Sequence, residues 1–263
     1  MRKKYNIKCA LLILPSLAGI GVFYLIPYIR VILYSLIENQ FSKKFVGLKN
    51  YGTLLKNSYF RLAMKNSLLL ILIGVPILVL TAFIISVLIL NLNKRWRKLR
   101  ISFILPMLIP TSSIVLIWRI IFSEIDSSLP IYLLFIWKNV GLLVILFSAA
   151  FTMLDPLIFE AANLDGASGI KLHGKITLPL IAPTIYFTTL LGIVFTFKIF
   201  RESFLYYGSN YPPNHSYTLQ YYMNNHFFKL NYQNLATGAI LTSLIIYIIV
   251  LLGIRIQNKW QWQ

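Results

Sequence analysis

Cysteine, histidine and acidic residues are all scarce in this sequence. A single cysteine, Cys9, excludes an internal disulfide. The residues before it, Asn6-Ile7-Lys8, do not fit a lipoprotein processing site, so Cys9 reads as a small buried apolar residue at the head of an apolar run. With 7 Asp and Glu and 3 His in 263 residues, there is little material for metal or acid–base chemistry. Asp155, Glu160 and Asp165 lie near one another, but no histidine joins them at ligand spacing, and His173 is too far along the chain. His215 and His226 read as external loop residues without a special task. No Asp or Glu stands inside a charge-free apolar core, which counts against ion-coupled secondary transport of small solutes. No His, acid or Ser–Lys group has the spacing that a membrane-embedded enzyme needs.

What remains is strongly apolar. The chain is 58% hydrophobic and 12% charged, with mean hydropathy +0.73. Those values predict an all-α protein that crosses a membrane several times, and exclude a soluble domain. The net charge of +18 does not point to nucleic acid, because the bases fall between apolar runs and in no nucleic-acid motif. Attraction to anionic lipid and the orientation rule for short loops account for them.

A helix needs about 20 apolar residues to cross a bilayer. The runs 9–29, 66–93, 176–197 and 230–254 reach that length. The run 101–118 reaches it if Arg119 sits at the outer interface and the helix ends near Ser123. The run 139–154 reaches it only by starting near Pro130 and containing Lys138. Six spans follow, within one domain over residues 1–263: a peripheral first helix over about 9–36 and core helices over about 66–255. The first run follows Arg2, Lys3, Lys4 and Lys8, is too long for a signal peptide and lacks a cleavage site, so it reads as an uncleaved span. Lys94, Arg95, Arg97, Lys98 and Arg100 place their loop in the cytoplasm, together with both termini and the loop 155–179. One segment conflicts: Lys43, Lys44, Lys49, Lys56, Arg61 and Lys65 fall on the outer side of this topology. Prolines and glycines inside the spans, Pro106, Pro110, Gly141 and Gly192 among them, suit kinks and close helix packing.

The most informative stretch is polar and lies between two spans. Residues 155–179 read DPLIFEAANLDGASGIKLHGKITLP. Asp155 is placed to cap a short helix with Pro156 at its first position. Gly166 suits the left-handed residue that ends it. Ser168 can cap a second helix, and Pro179 stands where the next span begins. Two short surface helices with a glycine corner are expected, with small residues (Ala161, Ala162, Ala167) allowing a second protein's backbone to come close.

The spacing EAA-x3-G-x9-I-x-L-P, carried by Glu160, Ala161, Ala162, Gly166, Ile176, Leu178 and Pro179, resembles the cytoplasmic coupling loop of permease subunits of binding-protein-dependent ABC importers. Residues 45–51 (FVGLKNY) resemble the segment after the first helix of carbohydrate importer permeases of the first-subunit type. Lys65-Asn66-Ser67, Leu105-Pro106, Ile117-Trp118-Arg119, residues 218–222 and Phe227-Phe228 resemble further motifs of that family. The loop 123–129 is shorter than the family's, and residues 207–213 stand for its glycine-rich external turn; in the family both face the binding protein. The resemblance implies a type I importer fold in a bacterial cytoplasmic membrane and a sugar or related solute moved by alternating access. It also implies two ATP-binding cassette subunits, a second homologous permease and an extracellular solute-binding protein. ATP would then be bound and hydrolysed by a separate subunit, with no cofactor or metal on this chain. Glu160, Ala161, Ala162, Asp165, Gly166, Ile176, Leu178 and Pro179 would form the contact with the ATPase. The plain alternative for Glu160 is a surface acid paired with Lys171.

A second pattern, Gly169-x4-Gly174-Lys175, nearly spells a phosphate-binding loop. Ile176 stands where Ser or Thr would hold magnesium, and no buried strand precedes it, so no nucleotide site is assigned. Charges within spans are costly unless paired or hydrated, and so mark functional candidates. Lys138, Lys198 and Glu202, with Trp118 and Arg119, are candidates for the outer mouth of a translocation path. Lys198 and Glu202 are one helical turn apart and can pair. Snorkelling to headgroups and a structural ion pair explain the same residues without a path.

Overall fold

The computed structural model describes residues 2–39, 41–90, 92, 96–167 and 169–261. Lys94, Arg95 and Ser168 lie outside the described residues, as do the side chains of Cys9 and Arg97. The chain divides into two compact units, one of Met1–Arg61 with Met223–Ile246, the other of Leu62–Tyr222 with Tyr247–Gln263. Among the described residues there is no strand, only an isolated antiparallel bridge between Ile37 and Phe45. The all-α expectation therefore holds.

Helix α1 (Arg2–Ile20) continues through a π-helical turn (Gly21–Leu25) into α2 (Ile26–Ser35). The resulting span, Leu11–Ser35, has no buried residue in its most apolar window. Beyond it, Asn50 Nδ2 donates to the carbonyls of Ser35 and Ile37 at 2.9 and 2.8 Å, and the Ser35 and Tyr51 hydroxyls meet at 2.7 Å. These bonds tie α3 (Lys49–Lys56) to the end of the first span. The six bases that conflict with the orientation rule are all exposed.

Helix α4 (Ser58–Leu69), a second π-helical turn (Leu70–Gly74) and α5 (Val75–Leu90) form the next span. A 3-10 helix (Trp96–Ile104) leads into α6 (Leu105–Leu108) and α7 (Thr111–Ile121). The third apolar run is thus not a straight span: its halves, Lys98–Leu108 and Thr111–Ile121, meet at 90°. Pro110 is the cause. It has no N–H to continue the helix and forces Ile109 into extended backbone, φ −69° and ψ 138°. Five helices are long and apolar enough to cross, or six if the bent pair counts as one.

Helix α8 (Leu129–Thr152) starts beside Pro130 and contains Lys138, as its length requires. After the polar stretch, with α9 (Pro156–Leu164), α10 (Gly169–Leu172) and α11 (Leu178–Leu180), come α12 (Ala182–Lys198) and α13 (Phe200–Tyr207). Helix α14 (Leu219–Phe228) and α15 (Tyr232–Gln261) complete the chain.

In lipid, apolar side chains gain little by leaving a medium as apolar as themselves, so close packing and polar cross-links hold helices together. The second unit shows both. Leu78, Phe135, Leu143, Val144 and Phe147 are almost fully buried. Gly141 of α8 lies so close to the 3-10 helix that an added Cβ would stand 1.7 Å from the Phe103 carbonyl oxygen. A Cβ at Gly192 would meet Val75 Cγ1 at 2.7 Å. Ser86 Oγ, on α5, donates to the Val144 carbonyl on α8 at 3.1 Å. Asn66 and Ser67, singled out as a motif, hold the segment before α14: Asn66 Nδ2 donates to the Asn214 and Tyr217 carbonyls at 2.7 and 2.9 Å, and Ser67 Oγ accepts from Leu219 N–H at 2.9 Å. In the first unit, Gly238 admits Leu54, Phe60 and Met223 to van der Waals distance of where its side chain would be.

Candidate functional site

The polar stretch folds as its residues dictate. Asp155 Oδ1 accepts from Leu157 N–H at 2.9 Å, which caps α9. At the far end Gly166 takes φ +75°, and the Ala167 N–H reaches back to the Ala162 carbonyl at 2.9 Å. That bond spans the left-handed glycine and closes the helix. The chain then turns into α10, passes a π-helical turn at His173–Thr177 and enters α11. Buried Thr177 anchors the exit: its hydroxyl meets His173 Nδ1 at 3.2 Å, and the His173 ring packs edge-on to Phe83 of α5 at 6.3 Å.

Glu160, Ala161, Asp165 and Gly166 are exposed together on α9 and its corner. Leu157 and Leu164 are exposed beside them at 66% and 90%, an apolar surface left open on a polar loop. Ile176, Leu178 and Pro179 are half-buried where the loop returns to the bundle. Ala162 departs from the expected outward face: it is buried, because the phase of α9 turns it toward its own chain while Ala161 points away. The ion pairs among the described residues are Lys138–Glu202 and a longer His215–Asp126 contact, so Glu160 is not paired with Lys171.

The candidate path residues divide into two groups. Lys138 of α8 forms an ion pair with Glu202 of α13, and its Nζ also donates to Thr111 Oγ1 of α7 at 3.0 Å. Thr111 Oγ1 lies 3.5 Å from the same Glu202 oxygen. The two charged side chains are only 14% and 8% exposed. The pair ties three elements together directly after the break at Pro110. Local spacing suggested Lys198 as the partner of Glu202; Lys198 instead stands over the Phe195 ring, 5.7 Å from its centre. Glu202 is therefore a buried acid near the C-terminal end of the span Ala182–Tyr207, past its charge-free core. The charge-free run ends before Glu202, but the helix continues beyond it.

Lys138, Lys198 and Glu202 line one cavity of about 340 Å³, together with Thr111, Asn139 and Arg201. Trp118 and Arg119 are not part of it. The Trp118 indole donates to the Pro130 carbonyl at 2.8 Å and stacks on Trp137 at 5.4 Å, lining a separate cavity of about 540 Å³. Arg119 is exposed. Thr111 escaped the sequence reading because a threonine in an apolar run carries no signal until the fold brings a charge to it. The described residues contain no group of three His, Cys, Asp or Glu placed to hold a metal.

Five or six helices long and apolar enough to cross a membrane, with a capped, exposed helical loop between two of them, define a multi-pass membrane protein. The chain belongs to the family of binding-protein-dependent transport system inner membrane components, whose model matches residues 90–260. That match contains the whole polar stretch. Among similar proteins, the arabinooligosaccharides transport system permease protein AraP of Bacillus subtilis (strain 168) is 29% identical over 94% of this chain and 87% of its own. The lactose transport system permease protein LacF of Rhizobium radiobacter is 25% identical over 87% and 86%. The fold matches a chain of a bacterial ABC transporter involved in importing the acidic polysaccharide alginate, with TM-score 0.74 and 20% identity over 98% of this chain and 99% of that one.

Proposed function

We propose that this chain is one membrane-spanning subunit of an ATP-driven importer for a sugar or related solute. It acts as a single permease domain over residues 1–263, with residues 9–36 as a peripheral helix, about 66–255 as the core and 155–179 as the coupling loop. Both termini face the cytoplasm of a bacterial cell. Two ATP-binding cassette subunits bind and hydrolyse the nucleotide. A second, homologous permease completes the path, and an extracellular solute-binding protein delivers the cargo. Closure of the ATPase pair draws the coupling loops together and alternates access to the path.

The observation that carries this reading is the exposed α9 corner, with Glu160, Ala161, Asp165 and Gly166 on the surface and exposed Leu157 and Leu164 beside them. Exposed acids beside exposed apolar side chains suit a docking face. Ala162, Ile176, Leu178 and Pro179 would hold that face to the bundle, so movement of α9 reaches α12 instead of being lost in a loose loop. For the path, Lys138, Lys198 and Glu202 support one polar chamber, with Trp118 as the prop of a neighbouring apolar one and Arg119 at its margin.

The test is co-purification in mild detergent with co-expressed ATPase subunits. Wild-type chain retains them, Glu160→Arg releases them, and ATP drives uptake only with the retained pair. An unmodified chain that binds no ATPase contradicts the reading. Buried Glu202 is the one observation that favours ion-coupled transport. Uptake into vesicles that hold a proton gradient but no ATP separates the two.

A further inference from the structure

The cavity at the α8–α12–α13 junction carries more positive charge than its own ion pair explains. Lys138 and Glu202 neutralise one another. Lys198 and Arg201 remain, three positions apart, and both line the cavity. Among the described residues neither forms an ion pair, and Glu202 is the only acid in the lining. Asn139 is buried, and its amide nitrogen is committed to the Phe135 carbonyl at 2.7 Å, which leaves its side-chain oxygen to accept. A neutral solute would need no uncompensated cations here and would meet only the cost of stripping water from them. An anion repays that cost, and a guanidinium beside an ammonium suits a carboxylate or a phosphate.

We propose that this cavity receives an anionic, sugar-like solute, with Lys198 and Arg201 holding its carboxylate or phosphate and the Asn139 side-chain oxygen accepting from a hydroxyl. The proposal rests on the importer reading above and narrows its substrate. A phospholipid headgroup offers the same anion, so the experiment separates the two sources.

The full chain, with whatever partners co-purify, is placed in nanodiscs of phosphatidylcholine alone. Binding of D-glucuronate and of D-glucose is compared by saturation-transfer NMR. Glucuronate is expected to bind at least about tenfold more tightly, the scale of one charge-assisted contact in a partly screened site. The preference disappears in Lys198→Gln/Arg201→Gln and inverts toward the neutral sugar in Lys198→Glu. Both positions are exposed, so these variants fold, and retained ATPase subunits confirm it independently. Equal binding of the two sugars overturns the anionic assignment and leaves the importer reading standing. Binding of neither sugar overturns it as well. So does phosphatidylglycerol, added to the discs, being held by native mass spectrometry in wild type but not in the double variant, with no glucuronate bound: the headgroup is then the occupant.

Discussion

Removing one member of the Lys138–Glu202 pair is predicted to cost far more than removing both. Lys138→Met leaves the Glu202 carboxylate 8% exposed inside a span, with the Thr111 hydroxyl at 3.5 Å as its remaining donor. An uncompensated buried charge of this kind costs about 3–5 kcal/mol. Glu202→Gln is milder. Lys138 keeps the Thr111 hydroxyl at 3.0 Å, and its long stem can carry the ammonium toward water. A loss of about 1–3 kcal/mol, that of a hydrogen bond to a charged group, is expected. Lys138→Met/Glu202→Met removes both charges and recovers most of the stability, because the pair itself gains little over well-packed apolar side chains. Thermal unfolding of the purified protein in detergent reads all four proteins. The predicted order of midpoints is wild type close to the double variant, then Glu202→Gln, then Lys138→Met. Additive losses, with the double variant least stable, refute the reasoning.

Gly141→Ala places a methyl 1.7 Å from the Phe103 carbonyl oxygen, where carbon and oxygen ordinarily approach no closer than about 3.3 Å. The obstacle is backbone, so the 3-10 helix must move; a loss of about 3 kcal/mol or more and poor yield are expected, while Gly19→Ala, in open space, stays at the wild-type midpoint. Gly166→Ala has room but the wrong backbone: φ +75° costs an L-residue about 1–2 kcal/mol, so the α9 corner loosens and ATPase retention falls. Gly166→Asn, which tolerates the left-handed region, retains more ATPase than Gly166→Ala in the same pull-down. Ser67→Ala frees the Leu219 N–H and lowers the unfolding midpoint in detergent by the equivalent of about 1 kcal/mol.

The parts legible in the sequence are those set by local stereochemistry. Asp155 before Pro156 caps a helix, and Gly166 ends it, whatever the rest of the chain does. The need for about 20 residues to span a bilayer was enough to start α8 near Pro130 and bring Lys138 inside it. The bend at Pro110 was not legible. A proline in an apolar run can kink a helix slightly or break it, and the choice depends on what packs against the two halves. Nor was the partner of Glu202. Spacing along one helix offered Lys198, but the approach of α8 supplied Lys138 from a remote part of the sequence. The burial of Ala162 was hidden for a related reason: both faces of a helix as short as α9 carry small and apolar residues, so the sequence does not fix its phase.

Site-directed labelling tests the coupling-loop account most directly. With Cys9 replaced by serine, a cysteine is introduced at Glu160 or Asp165 and treated with a membrane-impermeant thiol reagent. The account predicts labelling in inside-out vesicles only, and protection when the ATPase subunits are bound. Labelling of intact cells from outside, or equal labelling with and without the ATPase, would contradict it.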